Sequence, residues 1–276
     1  MSTEHAVTTF IAEQLRTHAT PLVVGLQGPQ GCGKSHTAAR VDQILSERGL
    51  RVAVLSLDDL YLPHAEMEAV GRAHPDNALL HGRGQPGTHD TQLGTVLLRA
   101  LRTPGEHVDL PVYDKSAHGG LGDRAPRCTR VDTPVDVVIF EGWCLGFVAV
   151  PDDALEARIA ATATEQPVHV MRTINDTLRE WERAWYPLID VYVQLFPGAA
   201  SGPQRWEVVY AWRLEAEHKM KARNGGRGMS DDDVRAFVRR YIPTYRLYGE
   251  HAGVWPGHTL RACIGVDRQL LDVEYL

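Results

Sequence analysis

The sequence predicts an α/β fold in which a mostly parallel central sheet is covered by helices on both faces. Two observations support this prediction. Short apolar runs alternate along the chain with longer segments of helical periodicity, the pattern of β-α-β units. The first apolar run also leads through a glycine-rich turn into a predicted helix, an arrangement typical of parallel sheets.

Apolar runs rich in valine, leucine and isoleucine are the predicted strands. They are PLVVGLQ (21–27), RVAVLSL (51–57), VDVVIF (135–140), VYVQLF (191–196) and TLRACIGV (259–266). Helices are predicted within 1–20, 35–49, 91–102, 175–189, 205–222 and 231–245. The first carries Val7, Phe10, Ile11 and Leu15 on one face, and the 175–189 segment carries a core stripe of Leu178, Trp181, Trp185 and Leu188. Two Gly/Pro-rich stretches, 81–90 and 113–126, are predicted to be long irregular connections, which are often functional.

Composition narrows the classes of function. The hydrophobic content of 43% and the charged content of 23% are those of a globular protein, and residues 1–276 are predicted to form a single domain. The net charge of −6 argues against a nucleic-acid partner, and no apolar run reaches the roughly 18 residues of a membrane span. The N-terminal stretch resembles neither a signal nor a transit peptide. Scattered cysteines indicate free thiols, so a cytoplasmic location is expected; they are Cys32, Cys128, Cys144 and Cys263.

The glycine-rich turn matches the phosphate-loop pattern Gly28-x-x-x-x-Gly33-Lys34-Ser35. Glycines allow successive backbone N–H groups to face phosphate oxygens, and the following helix adds its positive N-terminus. Lys34 is expected to bridge the β- and γ-phosphates, and the Ser35 hydroxyl to bind Mg²⁺. The chain is thus predicted to be a P-loop NTPase-type three-layer domain that binds ATP. The predicted nucleotide contacts are Gly28, Pro29, Gln30, Gly31, Cys32, Gly33, Lys34, Ser35 and His36.

Acidic residues follow two of the predicted strands. Asp58 and Asp59 come after RVAVLSL, and Glu141 comes after VDVVIF. Because ligands bind beyond the carboxyl ends of parallel strands, these acids are expected near the phosphate loop. Glu141 is expected to bind the metal, and Asp58 is expected to act as the base that accepts the proton of an attacking hydroxyl. The alternative is that Asp58 or Asp59 only caps the next segment.

Other phosphate-loop classes fit less well. A GTPase switch requires an Asn-Lys-x-Asp guanine reader, which the sequence lacks. We find no arginine-finger apparatus of a motor or remodelling ATPase. A kinase acting on a small molecule is therefore the favoured class, and a nucleotide-regulated binding protein without a small acceptor is the rival.

Several motifs beyond the phosphate loop resemble the plant and fungal type of D-glycerate 3-kinase. They are GPQGCGKS, LSLDDLYLP, GRGQPGTHD, LPVYDKSAHGGLGDR and FEGWCLGF, and a C-terminal stretch from VYAWRLEAEHKM to VRRYIPTY is similar too. The resemblance covers roughly residues 20–270. It links the chain to the group that holds uridine kinase, phosphoribulokinase and bacterial pantothenate kinase.

The resemblance implies roles for particular residues. Asp58 matches the catalytic base of the uridine-kinase group, and Glu141 matches its metal-associated glutamate. Tyr113 lies where uridine kinase contacts its acceptor. The segment around residues 203–230 resembles a helical lid, which makes Arg213 the candidate for contact with the phosphates. Plant members carry a transit peptide that this sequence lacks, so a chloroplast role is not implied.

The acceptor implied by the resemblance is D-glycerate, which requires cations for its carboxylate and hydrogen bonds for its hydroxyls. The predicted acceptor-binding residues are Tyr61, Arg83, His89, Asp90, Tyr113, Lys115 and Arg124. Five of these residues also have a purely structural interpretation. Lys115 and Arg83 could be exposed side chains, and Arg124 could be a partner of Asp114 or Asp123. His89 could be a turn residue, and Asp90 could be a helix cap. A nucleoside, pantothenate or a sugar acid remains possible as the acceptor. The oligomeric state is not predicted.

Cys32 lies inside the phosphate loop, close to a predicted helix N-terminus. That position favours a lowered thiol pKa. The favoured role is a small filler residue, with inactivation by oxidation or alkylation as a side effect.

Overall fold

A computed structural model of the chain describes residues 1–198, 200, 202–223, 225–250 and 255–276. Within these residues the strands are β1 Leu22–Gln27, β2 Val52–Ser56, β3 His107–Asp114, β4 Asp123–Asp132, β5 Val137–Gly142, β6 Val191–Pro197, β7 Thr259–Ile264 and β8 Leu270–Tyr275. Six of them form a sheet in the order β2-β5-β1-β6-β7-β8. The first five of that order are parallel, and β8 is antiparallel at the edge. The predicted mostly parallel sheet is confirmed.

Helices connect the strands and cover the sheet. They are α1 Thr3–Gln14, α2 Lys34–Glu47, α3 His64–Ala73, α4 Thr91–Leu101, α5 Leu155–Ala161, α6 Val168–Ala184, α7 Val208–Arg223, α8 Asp231–Arg239 and α9 Ile242–Tyr248. Among the described residues, no helix has both the length and the apolar character that crossing a lipid bilayer requires.

Neighbouring residues of a central strand contribute to two different cores. Val23 belongs to the core that contains Leu97 and Trp181, whereas Val24 belongs to the core that contains Phe10 and Leu45. Since successive side chains of a strand point to opposite faces, the two cores lie on the two sides of the sheet. Helices therefore cover both faces, and the architecture has three layers.

The predicted elements are largely present. All five predicted strands are observed, and the N-terminal helix is shorter than residues 1–20. The 231–245 segment is divided into α8 and α9, with Ser230 forming a capping box at the start of α8. Trp181 and Trp185 are buried core residues, as predicted. The four cysteines all lie within the described residues and are free thiols.

The predicted irregular connection 113–126 is confirmed only at residues 115–122, because its two ends belong to strands. Strands β3 and β4 form an antiparallel hairpin in which Asp114 faces Asp123, so residues 115–122 are the hairpin tip. The hairpin is separate from the main sheet, and Pro111 lies beside an irregularity in its register, which hides the strand pattern. The end of β3 is attached to the turn after β2, because the Tyr113 amide donates to Asp59 Oδ1 at 2.9 Å.

Candidate active site

The phosphate loop, residues 28–35, joins β1 to α2. Gly31 and Gly33 have φ angles of 78° and 97°, in the left-handed region that favours glycine. Gly33 is the N-cap of α2, and within the described part of the chain no side chain caps that end. The first N–H groups of a 14-residue helix are therefore available to an anion. This geometry fits a phosphate group.

Gly31 also lies too close to α7 to carry a side chain. A Cβ atom there would be 2.7 Å from Trp212 Cβ, whereas one at Gly49, φ 85°, would meet no described atom within 4 Å. We expect Gly31→Ala to weaken ATP binding at least about tenfold by shifting the loop, and Gly49→Ala to leave it within about twofold. Isothermal titration with a non-hydrolysable ATP analogue measures both. Equal losses in the two variants would mean that backbone strain, and not the contact with Trp212, is responsible.

Glu141 gathers the polar groups at the centre of the site. It forms an ion pair with Lys34 through Oε2. Its Oε1 accepts hydrogen bonds from Ser35 Oγ at 3.2 Å and from Ser56 Oγ at 2.9 Å. Burial alone lowers the pKa of Lys34, but the charges of Glu141 and Asp58 outweigh it and raise that pKa above its ordinary value. Lys34 is therefore a permanent cation.

The same oxygens fit a magnesium ion. The Ser35 hydroxyl and the Glu141 carboxylate are the hard oxygen ligands that Mg²⁺ prefers, and they lie beside the phosphate loop. A metal bound there would neutralise negative charge on the phosphates.

Asp58 lies in the 3₁₀ turn Leu57–Leu60 directly after β2. Its Oδ2 is 2.5 Å from the ammonium of Lys115, on the hairpin tip. Partial removal from water alone raises the pKa of the half-buried Asp58 carboxyl, but the charges of Lys115 and Lys34 outweigh this effect, and the pKa is below its ordinary value. Asp58 is thus ionised at neutral pH, as a proton acceptor must be.

A cavity of about 710 Å³ brings these groups together. All of the predicted nucleotide contacts except Gly28 and Cys32 line it, as do Asp58, Lys115 and Arg213. Arg213 reaches it from α7, where it is paired with Glu217 at 3.1 Å. Of the predicted lid, residue 224 lies outside the described residues; opening and closing of this segment stays a prediction.

Comparisons with known proteins agree with this geometry. No protein-family model matches the chain. An uncharacterized kinase from Schizosaccharomyces pombe is 37% identical over 243 residues, which cover 87% of this chain and 85% of that protein. The structure of D-glycerate 3-kinase from Cryptococcus neoformans has a TM-score of 0.91 and 36% identity, with 100% of both chains covered. The chain belongs to the D-glycerate 3-kinase family.

The family extends to plants. The chloroplastic D-glycerate 3-kinase of Arabidopsis thaliana is 37% identical over 233 residues, which cover 83% of this chain and 48% of that protein. The chain is therefore a kinase, an enzyme that transfers a phosphoryl group to a hydroxyl group.

Among the acceptor-binding residues predicted for this family member, Tyr61, Arg83 and Lys115 line the cavity. Arg83 donates to the carbonyl oxygens of Gly120 and Leu121 at 2.7 and 2.5 Å, so it also holds the hairpin tip against the cavity.

The other four predicted acceptor ligands do not line the cavity; they lie in a layer behind Tyr61. Asp90 caps α4 by accepting from the Leu93 amide at 2.9 Å, and it pairs with Arg124 at 3.2 Å. Arg124 therefore pairs with Asp90, and not with Asp114 or Asp123 through its side chain. These two residues join the hairpin to α4.

His89 and Tyr113 pack on Tyr61 as aromatic neighbours. The rings of His89 and Tyr61 stack with centroids 4.4 Å apart, and Tyr113 meets Tyr61 edge-on at 5.3 Å. Burial lowers the pKa of His89 to about 3, so its ring is neutral. Within the described residues its ring nitrogens have no hydrogen-bond partner. Both side chains therefore support Tyr61 in this structure, and their direct contact with an acceptor stays a prediction.

Several cavity residues were not predicted, among them Trp143, Arg240 and Tyr241. Trp143 follows Glu141 in the EGW motif, and its indole N–H donates to the Gly84 carbonyl at 3.0 Å. Arg240 and Tyr241 enter from the end of α8. Arg240 adds a cation to the lining of the cavity. The EGW motif was a usable signal for Trp143, whereas α8 gives no sign in sequence of facing the cavity.

Cys32 is the buried filler residue that was favoured for it, but the lowered thiol pKa that its position suggested is wrong. It is 4% exposed, and burial raises its pKa to about 11, an effect larger than the opposing charge of Lys34. We expect iodoacetamide at pH 7.5 to alkylate the exposed Cys128 at least about tenfold faster than Cys32, measured by peptide mass spectrometry. Faster labelling of Cys32 would show that the loop opens in solution and exposes the thiol.

Proposed function

We propose that this kinase transfers the γ-phosphoryl group of Mg-ATP to the terminal hydroxyl of D-glycerate, giving 3-phosphoglycerate and ADP. The observation that carries the proposal is the ionised carboxylate of Asp58 between the phosphate loop and a cationic wall. The D-glycerate 3-kinase relatives support the choice of acceptor.

The wall opposite the phosphate loop suits a small acid. Lys115 and Arg83 reach the cavity from the hairpin tip and from the 81–90 connection, respectively. Their charges favour a carboxylate, and the guanidinium of Arg83 has nitrogens besides the one bound to Gly120 and Leu121. A short hydroxy acid held there presents its hydroxyl to Asp58.

The chain's own residues supply the remaining steps. Asp58 orients the acceptor hydroxyl and takes its proton as the oxygen attacks the γ-phosphorus. Lys34 and Arg213 stabilise the charge on the phosphoryl oxygens during transfer, and the bond to ADP breaks with its electron pair left on ADP. Ser35 and Glu141 hold Mg²⁺, which supplies charge neutralisation when bound. Closure of α7 over the phosphates excludes water.

A second cavity, of about 180 Å³, suits the nucleotide base. It lies beyond the carboxyl ends of β6 and β7, and its lining includes Pro197, Trp212 and Ile264. Trp212 is the residue against which Gly31 packs, so the cavity adjoins the phosphate loop. Its apolar walls favour a flat aromatic ring such as adenine.

A panel of acceptors tests the proposal. ADP release from Mg-ATP is measured with D-glycerate, L-glycerate, gluconate, pantothenate, uridine or no acceptor. We expect D-glycerate to raise the rate at least about a hundredfold over the reaction without acceptor, and product analysis to identify 3-phosphoglycerate. Acceleration by another compound instead would reassign the acceptor, and uniform slow turnover would favour a nucleotide-regulated binding protein.

The proposal places the reaction in the cytoplasm, on the support of four free thiols.

A further inference from the structure

The ion pair between Lys115 and Asp58 occupies the proposed catalytic base. Lys115 Nζ donates to Asp58 Oδ2 at 2.5 Å. A carboxylate oxygen that accepts a short, charge-assisted hydrogen bond is a poor acceptor for another proton. In this arrangement Oδ2 of the base is occupied and the ammonium weakens the basicity of the carboxylate, while the phosphate loop beside it is open to ATP.

The backbone around Lys115 is fixed, but its side chain is not. On one side, the Tyr113 amide is bound to Asp59 at 2.9 Å. On the other, Asp114 Oδ1 accepts from the amide and the hydroxyl of Ser116 at 2.9 and 2.6 Å. The ammonium stands on a flexible four-carbon stem and is therefore the part of the tip that is free to move.

The pair is also easy to break. The side chains of Lys115 and Asp58 are 54% and 36% exposed. Ion pairs exposed to this degree contribute little to stability because water screens them. A carboxylate arriving between Lys115 and Arg83 offers the ammonium an equivalent partner, at almost no cost in free energy.

We propose that Lys115 blocks Asp58 until the carboxylate of an acidic acceptor draws its ammonium away. This inference rests on the proposed function and adds a gate to it. Without acceptor, the ammonium holds Asp58 Oδ2 and makes the whole carboxylate a weaker base, so it does not take a proton from water and the water oxygen does not attack the γ-phosphorus. With acceptor, Asp58 takes the hydroxyl proton, the new phosphorus–oxygen bond forms and ADP departs. Lys115 thus couples recognition of the acid to catalysis and suppresses hydrolysis of ATP.

Hydrolysis of ATP without acceptor is the direct test. We expect Lys115→Met to raise it at least about tenfold, because general-base catalysis is worth roughly 10²–10⁴-fold. Lys115→Arg, which keeps the charge, should raise hydrolysis much less than Lys115→Met does. Arg130→Met serves as the matched control, since it removes another cation of the same hairpin, paired with Asp109 at 3.2 Å, and should change nothing. Adding Asp58→Asn to Lys115→Met should abolish the rise.

A structural measurement gives an independent readout. In a crystal structure with D-glycerate bound, we expect Lys115 Nζ to contact the ligand carboxylate and to lie beyond hydrogen-bond distance from Asp58. A bound structure that keeps the 2.5 Å pair contradicts the gate, whatever the fate of the Lys115 variants.

The outcomes separate the gate from the proposed function. If Lys115→Met only raises the KM for D-glycerate and leaves ATP hydrolysis unchanged, Lys115 binds the acid but does not gate, and the function stands. A rise in hydrolysis that persists in the double variant also overturns the gate, because it does not act through Asp58. If D-glycerate is no acceptor at all, the proposed function fails in the acceptor panel, while the hydrolysis assay still tests the gate.

Discussion

Asp58→Asn should lower kcat for D-glycerate phosphorylation about a thousandfold while changing the affinity for ATP less than about twofold. The amide keeps the shape of the side chain but cannot take the hydroxyl proton. Binding of ATP should survive because Lys34 and the phosphate loop, not Asp58, face the phosphates. Steady-state kinetics and titration with a non-hydrolysable ATP analogue measure the two effects separately.

Asp59→Asn provides the matched control in the same turn. Asp59 accepts a hydrogen bond from the Tyr113 amide at 2.9 Å, so its role is to hold the hairpin. Burial raises the pKa of its carboxyl above the ordinary value. An amide oxygen accepts the same hydrogen bond, and we expect kcat to fall less than about tenfold. Loss of both kcat and ATP affinity in Asp58→Asn would instead assign Asp58 to the metal site.

The fold was predictable where one local pattern decides it. The central parallel strands β1, β5 and β6 are buried on both faces and read as continuous apolar runs, which is why each was found. The hairpin was missed because most of β4 is exposed and its side chains carry no apolar alternation. The edge strand β8 was missed for the same reason, since its residues are at most half-buried.

The candidate site divides in a similar way. The phosphate loop depends on consecutive residues, and Glu141 and Asp58 follow strands whose ends must converge, so spacing located all of them. Pairings between side chains that only tertiary packing brings together could not be predicted from the sequence. For example, the backbone N–H of Gln30 donates to the hydroxyl of Tyr245, which is 215 residues away in sequence, at 3.0 Å. Likewise, the partner of Arg124 became clear only with the hairpin docked on the N-terminus of α4.

Lys34→Met should lower kcat/KM for ATP about a thousandfold, because it removes the cation that stabilises the phosphoryl oxygens. The same change should also destabilise the protein without ligand. Lys34 and Glu141 are 13% and 6% exposed, and removing one partner of such a buried pair leaves the other charge uncompensated, at roughly 3 kcal/mol. Kinetics and urea denaturation measure the two losses.

The double variant Lys34→Met/Glu141→Gln separates the two losses. With both charges gone, the buried site holds a neutral amide that still accepts from Ser35 and Ser56, so most of the free energy of unfolding should return. Activity should not return, since neither the cation nor the metal carboxylate is restored. Recovery of activity together with stability would mean that Lys34 serves the fold and not the phosphates. If the double variant stays unstable, the loss in free energy of unfolding comes from lost packing of the Lys34 aliphatic stem and not from the unpaired charge.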